Sequence, residues 1–206
     1  MPSASPTPKP PEGDRDVLAL QESLAEGSRP GPGGTVYLSV ADRDGRMVSF
    51  IQSNYMGFGS GVVVPGTGIS LQNRGAGFSL QPGHVNEVGP SKKPFQTIIP
   101  AFLMGLDGNP VMSFGVMGGP MQAQGHLQMT LRTQLWGQDP QTAADAPRWQ
   151  ALSGLNVAVE TSVGADVIEA LKAKGHAIKV ETPDSTNFGF GGAQLIAKTE
   201  AGYVAG

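Results

Sequence analysis

Glycine and proline interrupt this chain so often that no long regular element fits between them: 30 glycines and 17 prolines fall within 206 residues. Glycine enters turns at little steric cost, and proline removes a backbone donor from any ladder it joins, so the fold must be built from short strands, short helices and many turns. The stretches between these breaks carry the matching patterns. Val36, Leu38 and Val40 alternate with Tyr37, Ser39 and Ala41, and Asp42-Arg43-Asp44-Gly45 is a turn signal before a second strand, Met47 to Ser53. Together they predict a hairpin. Short strands are expected at Gly61–Val64 and Ile69–Leu71 around Pro65-Gly66-Thr67-Gly68, and Thr97–Met104 is expected to pair with Val111–Val116 across Leu106-Asp107-Gly108-Asn109. Met121–Trp136 reads as a helix with Leu127, Leu131 and Leu135 on one stripe. Val163–Lys174 reads as a second, with Val167, Ile168 and Leu171 on one face and Gly175 as its stop. Strands at Asn156–Glu160, Ala177–Glu181 and Ala193–Lys198 complete the pattern, with Gly189-Phe190-Gly191-Gly192 as the turn before the last. Strands outnumber helices and cluster in sequence, which makes the class α+β.

Composition narrows what such a domain can do. Hydrophobic residues make up 39% and charged residues only 15%, a balance that supports one packed core. The net charge of −3 leaves no basic footprint for nucleic acid or an anionic membrane. With no cysteine there is no disulfide framework and no thiolate metal site. No apolar run approaches the roughly 20 residues that span a bilayer. His84, His126 and His176 are scattered without ligand spacing, and Glu160, Glu169 and Glu181 form no pair suited to acid–base work, so no metal or other cofactor is expected. Met117, Met121 and Met129 read as core filling. The compartment stays open between cytoplasm and periplasm. Met1–Pro11 is Pro/Ser/Thr-rich and expected to be disordered, Asp16–Glu26 has the spacing of a short helix, and Gly27–Gly34 breaks regular structure and offers an accessible scissile region.

That break gives the next residue its interest. Thr35 stands between a Gly/Pro segment and the first strand. A threonine there can simply fill a β-favouring position. If the bond ahead of it is cut, it becomes a nucleophile carrying its own base, because the freed α-amine titrates near roughly pH 8 and sits beside the hydroxyl. Three groups of residues bear on the choice: Thr35, Ser39 and Asp42 with their spacing; Phe58-Gly59-Ser60-Gly61 through Thr67-Gly68-Ile69 with Gly115-Val116-Met117-Gly118-Gly119-Pro120; and Gly89-Pro90-Ser91-Lys92-Lys93-Pro94 with Ala144-Asp145-Ala146-Pro147-Arg148. Together they resemble the small subunit of γ-glutamyltranspeptidases, the glutathione hydrolase family of N-terminal-nucleophile (Ntn) hydrolases, from about Thr35 to the C-terminus.

The resemblance implies a four-layer αββα sandwich, with residues 1–34 corresponding to the end of the large subunit and 35–206 to the small-subunit domain. It implies a precursor that cleaves itself ahead of Thr35, with Thr35 as nucleophile and α-amino base and Ser53 as a second hydroxyl hydrogen-bonded to it. Gly118 and Gly119 fall at the oxyanion hole, where two backbone N–H groups can approach the oxyanion without a side chain in the way. Tyr55, Arg74, Gln96 and Thr97 are the expected substrate contacts. The partner implied is the family's large subunit, from the same precursor or as a separate chain, and the substrate is a small-molecule amide. The chain departs from the pattern where many members carry an asparagine and two aspartates for a γ-glutamyl group: here stand Tyr55, Ala76 and Gly77. Arg74 offers a guanidinium that favours a carboxylate, or is a solvated surface residue. His84-Val85-Asn86-Glu87-Val88 makes a lid loop shorter than usual. Three functions therefore stand open: a γ-glutamyl amidohydrolase and transferase, an acylase of the cephalosporin (glutaryl) or oxamate amidohydrolase type, or an inactive fragment serving as scaffold.

Overall fold

A computed structural model of the chain describes residues 33–181 and 189–206. The expectations for Met1–Pro11 and Asp16–Glu26, and nearly all of that for Gly27–Gly34, lie outside the described residues. Strands β1 (Gly33–Ala41) and β2 (Met47–Met56) form the antiparallel hairpin, in the register Thr35↔Ser53, Tyr37↔Ile51, Ser39↔Ser49. Asp42 closes the turn: its Oδ1 accepts the N–H of Asp44 and of Arg46, each at 2.9 Å. An aspartate at a turn start commonly bonds backbone two residues on in this way. Because strand side chains alternate, Thr35, Tyr37 and Ser39 share the inner face, and Val36, Leu38 and Val40 the outer one.

The inner face packs on a four-stranded antiparallel sheet, ordered β3 (Ala101–Met104), β4 (Pro110–Val116), β8 (Ala193–Thr199), β9 (Gly202–Ala205). Alternation along β4 divides its two faces. Ser113 and Gly115 meet the hairpin, the former by a hydroxyl bond to Ser39 and the latter under the Tyr37 ring, which the Cβ of any other residue would overlap. Met112, Phe114 and Val116 face the other way, into a core with Met129, Ala143 and Leu195. That core is roofed by helices α1 (Met121–Thr130) and α2 (Pro140–Asp145). Gly125 lets α1 come close to β4, since a Cβ there would stand 2.6 Å from Val116 Cγ1. A third sheet, β5 (Trp149–Ala151), β6 (Asn156–Glu160) and β7 (Ala177–Glu181), is antiparallel between β5 and β6 and parallel between β6 and β7. Helix α3 (Ala165–Ala173) makes that parallel crossover and packs on β7.

The mixed α+β class and the main hairpin stand as read from the sequence. Other details differ. Gly61–Val64 and Ile69–Leu71 reduce to one antiparallel bridge, Val63↔Ser70, in place of two strands. The helix expected over Met121–Trp136 is α-helical only to Thr130 and closes in a π-helical turn, Leu131–Leu135. Its leucine stripe does not face the core: Leu127 and Leu135 are exposed, while Met121, Gln122, Gly125, His126, Gln128 and Met129 are buried. The reason is what the helix packs against. Gln124 and Gln128 imitate a neighbouring strand for the edge of β5: Gln128 accepts from Trp149 N and donates to Trp149 O (3.1 and 2.8 Å), and Gln124 does the same for Ala151 (2.7 and 3.0 Å). Helix α2 and strands β5 and β9 have no counterpart among the elements read from the sequence, although Asp139-Pro140 carries a helix-start signal. Asp139 Oδ1 accepts from Gln141 N and Thr142 N at 3.0 Å each, and Pro140 sits where a helix needs no N–H.

Candidate active site

Thr35 lies in β1, and the pairing register is irregular between Gly33 and Thr35. Gly34 is pressed against β2's exit: a Cβ there would stand 2.5 Å from the Gly57 carbonyl oxygen. Across the hairpin, Thr35 Oγ1 donates to Ser53 Oγ at 2.8 Å, and Ser53 Oγ also accepts the Tyr55 N–H at 2.9 Å. Alternation makes this pair: Thr35 and Ser53 are cross-strand neighbours pointing to the same face. The next inward pairs are hydroxyls too, Tyr37 to Ser49 at 2.8 Å and Ser39 to Ser113, so the layer between hairpin and sheet is lined with O–H groups. Burial pushes the Tyr37 phenol up, against the lowering effect of its bonds to Ser49 and Ser39, so it stays protonated.

Tyr55 adopts a left-handed conformation (φ 75°) at the end of β2, which turns its ring toward Arg74. The guanidinium carbon lies 5.3 Å from the ring centroid, within cation–π range. Arg74 opens a single 3₁₀ turn, Arg74–Gly77, tied to β2 by Asn73: its N–H donates to Asn54 O at 3.1 Å and its Oδ1 accepts from Met56 N at 3.0 Å. Only 4% of Arg74 is exposed, which rules out the solvated-surface reading. Nη1 donates to Thr97 Oγ1 at 3.1 Å, whereas Nη2 is buried and unpartnered among the described residues. Burial pulls its pKa down and the Tyr55 ring beside it opposes that, but a guanidinium remains a cation at any working pH. Gln96, next to Thr97, is exposed. The structure thus brings Thr35, Ser53, Tyr55, Arg74 and Thr97 into one connected set.

Gly118 and Gly119 link β4 to α1 with φ of 123° and 57°, conformations that favour glycine. Their carbonyls accept from Met121 N and Gln122 N at 3.1 Å each, while neither glycine N–H is used by another group among the described residues. Contacts between the layers step from Ser39 on Ser113 to Tyr37 on Gly115, a progression that runs the end of β4, two residues short of this glycine pair, toward the Thr35 end of the hairpin. Arg148 braces the neighbouring turn, Nη1 donating to Gly191 O at 2.6 Å and Phe190 O at 3.1 Å, with the Glu160 carboxylate accepting Arg148 N at 2.7 Å. Gly191 abuts the Met117 carbonyl one residue before the pair. The sequence reading gave Arg148 no role beyond the motif that contains it. Among the described residues, no cluster of metal-ligating side chains is present and no helix is long and apolar enough to cross a membrane.

With this geometry in view, comparison with known proteins is decisive. The model of the gamma-glutamyltranspeptidase family matches residues 5–206. The chain belongs to that family. It is 41% identical over 172 residues to the oxamate amidohydrolase proenzyme of Klebsiella pneumoniae, covering 81% of this chain and 32% of that protein. It is also 41% identical over 160 residues to the glutathione hydrolase-like YwrD proenzyme of Bacillus subtilis, covering 74% and 30%. The crystal structure of a cephalosporin acylase from Bacillus halodurans superposes with a TM-score of 0.76 at 48% identity, over 89% of this chain and 35% of that one. The chain therefore spans about a third of the length of these relatives.

Proposed function

We propose that this chain is the small-subunit portion of an Ntn amidohydrolase that releases Thr35 by self-cleavage and then hydrolyses or transfers the acyl group of a small amide. The observation that carries it is the hydroxyl pair at the scissile position, Thr35 Oγ1 to Ser53 Oγ at 2.8 Å. Once freed, the Thr35 amine takes the proton of its own hydroxyl as Oγ1 attacks the amide carbonyl. The N–H groups of Gly118 and Gly119 stabilise the tetrahedral oxyanion, a donation for which their unused N–H groups suit them; each such donor is worth about 3 kcal/mol of barrier. Collapse expels the amine, which takes the proton from the Thr35 ammonium, and leaves an ester on Oγ1 that water or an acceptor amine resolves. The remainder of the precursor supplies a large subunit, which adds the fourth layer of an αββα sandwich over the hairpin's outer face. Intact mass and N-terminal sequencing after incubation, with and without that partner, test the reading: a new terminus at Thr35, lost in Thr35→Ala, supports it, and an uncleaved chain under both conditions favours a silent scaffold instead.

A γ-glutamyl donor is one candidate for the acyl group. The second reading, an acylase acting on dicarboxylic monoamides, has a specific observation behind it: Arg74 is buried with an unpartnered Nη2, and Ala76 and Gly77 leave no carboxylate on its 3₁₀ turn to hold an ammonium group. The proteins named oxamate amidohydrolase and cephalosporin acylase among the relatives agree with it. Comparing γ-glutamyl and glutaryl anilides, which differ by the α-ammonium, separates the two.

A further inference from the structure

Helix α1 carries three glutamines that satisfy backbone groups outside it, and they do not share one task. Gln124 and Gln128 hold β5, as described above. Gln122, fully buried one turn past Gly119, reaches the other way and accepts the Ile99 N–H at 3.0 Å. Its target is otherwise loosely held. From Gly89 to Pro100 the chain makes no backbone–backbone hydrogen bond among the described residues, and side chains do the fixing instead: Lys92 Nζ to Val85 O at 2.8 Å, Arg74 Nη1 to Thr97 Oγ1 at 3.1 Å, and Gln122 at Ile99. His126, one turn further along the same buried face, is held by Gln122's own carbonyl, Nδ1 to O at 2.5 Å.

We propose that Gln122 is a positioning residue which, by anchoring Ile99 to the helix that begins at the glycine pair, fixes Thr97 against Arg74 and so sets how far the guanidinium stands from the oxyanion donors. The role rests on the reading of Thr35, Gly118 and Gly119 given above. Helix α1 starts two residues after Gly119 and carries Gln122, one hydrogen bond passes to Ile99, the chain leads back two residues to Thr97, and a second bond passes to Arg74. A substrate whose carbonyl sits at the glycines and whose distal carboxylate meets Nη2 has its chain length measured by that linkage. Loss of the Gln122 oxygen orphans the Ile99 N–H and frees Thr97, so selectivity for the carboxylate falls while the chemistry at Thr35 is untouched.

The test compares glutaryl and butyryl p-nitroanilide as substrates of the full protein. Gln122→Met raises KM for the glutaryl anilide about tenfold, leaves kcat unchanged, and leaves the butyryl anilide unaffected. Gln122→Glu keeps an oxygen at the same place and restores KM. Added to Arg74→Ala, Gln122→Met brings no further loss, since both act on one contact. Equal losses on both substrates, an unchanged KM for the glutaryl anilide, or additive losses with Arg74→Ala overturn the proposal. Calorimetry of free glutarate on the Thr35→Ala protein separates it from the hydrolase reading. If no amide is hydrolysed but Gln122→Met still weakens glutarate about tenfold, the hydrolase reading falls and the positioning role stands. If glutarate does not bind, or binds both proteins equally, the positioning role falls.

Discussion

At the scale of single residues, the site depends on where side chains are absent as much as on where they are present. Gly34 lies just before the bond proposed to be cut, at the one irregular point of the hairpin register, and its missing Cβ makes room for the Gly57 carbonyl. Backbone cannot yield as a side-chain end does, so Gly34→Ala displaces the bond ahead of Thr35. Self-cleavage of that variant, followed by intact mass, slows at least about tenfold, while a chain produced with Thr35 as its first residue keeps its full amidase rate, because Gly34 has left by then. Ser53→Ala makes the opposite test. It removes the acceptor of the Thr35 hydroxyl and of Tyr55 N, and both cleavage and turnover fall by about tenfold or more. Equal rates in wild type and Ser53→Ala would remove the hydroxyl pair from the mechanism.

At the scale of elements, β4 and α1 carry the architecture. Gly115 lies flat under the Tyr37 ring, so Gly115→Val lifts the hairpin off the sheet and costs about 2 kcal/mol, read as a lower midpoint in urea. His126 adds a pH dependence. Burial holds its pKa below the ordinary value, and the Gln122 and Ile99 backbone groups only partly offset this. The unfolded chain thus takes up a proton near pH 6.5 that the folded chain refuses, and the stability this histidine contributes is present above pH 6.5 and lost as pH falls below it. Asp107 and Asp139, both held below the usual carboxylate range by their hydrogen bonds to Asn109 and Thr142, lose their contributions only near pH 4 and lower. Between pH 6.5 and 5, therefore, the urea midpoint of the wild type declines, and in His126→Asn it declines less. These elements also mark the limit of what the sequence disclosed. The hairpin was legible because alternation and the Asp42 turn are local, whereas the pairing of Thr35 with Ser53 was expected from the family resemblance. The inner face of α1 was not. Periodicity counts apolar residues and so selected Leu127 and Leu135, whereas burial there was decided by the unfilled backbone edges of β5 and of the Ile99 segment, which only the tertiary fold brings near Gln122, Gln124 and Gln128. Arg74 was ambiguous for the same reason, since its burial is made by Tyr55 and Thr97 from distant parts of the chain.

At the scale of the whole molecule, the hairpin has one satisfied face and one bare one. Inside lie the hydroxyls packed on β4; outside, Val36, Leu38, Val40, Val48 and Phe50 are exposed, with Leu38 opposite Phe50 and Val40 opposite Val48 in one contiguous apolar surface. Scattered exposed apolar side chains are ordinary, but a contiguous set on an otherwise well-paired hairpin marks a surface that another layer covers. The hairpin is also a two-stranded sheet of its own, so among the described residues its outer edges offer backbone groups to a further strand, except where Asn73 pairs with Asn54 and Met56 at the end of β2. The large subunit proposed above is the cover this face would take, since the chain spans about a third of its relatives' length. The expected outcome is concrete. Purified alone, this chain self-associates, and light scattering shows a mass that grows with concentration. Replacing Leu38, Val40 and Phe50 together by threonine, which keeps strand propensity while removing apolar area, reduces that association. The same triple variant loses the ability to be held in solution by a co-expressed large subunit. Were the single chain monomeric at all concentrations and the triple variant no different, the outer face would be an ordinary solvated surface, and the missing layer would have to dock elsewhere.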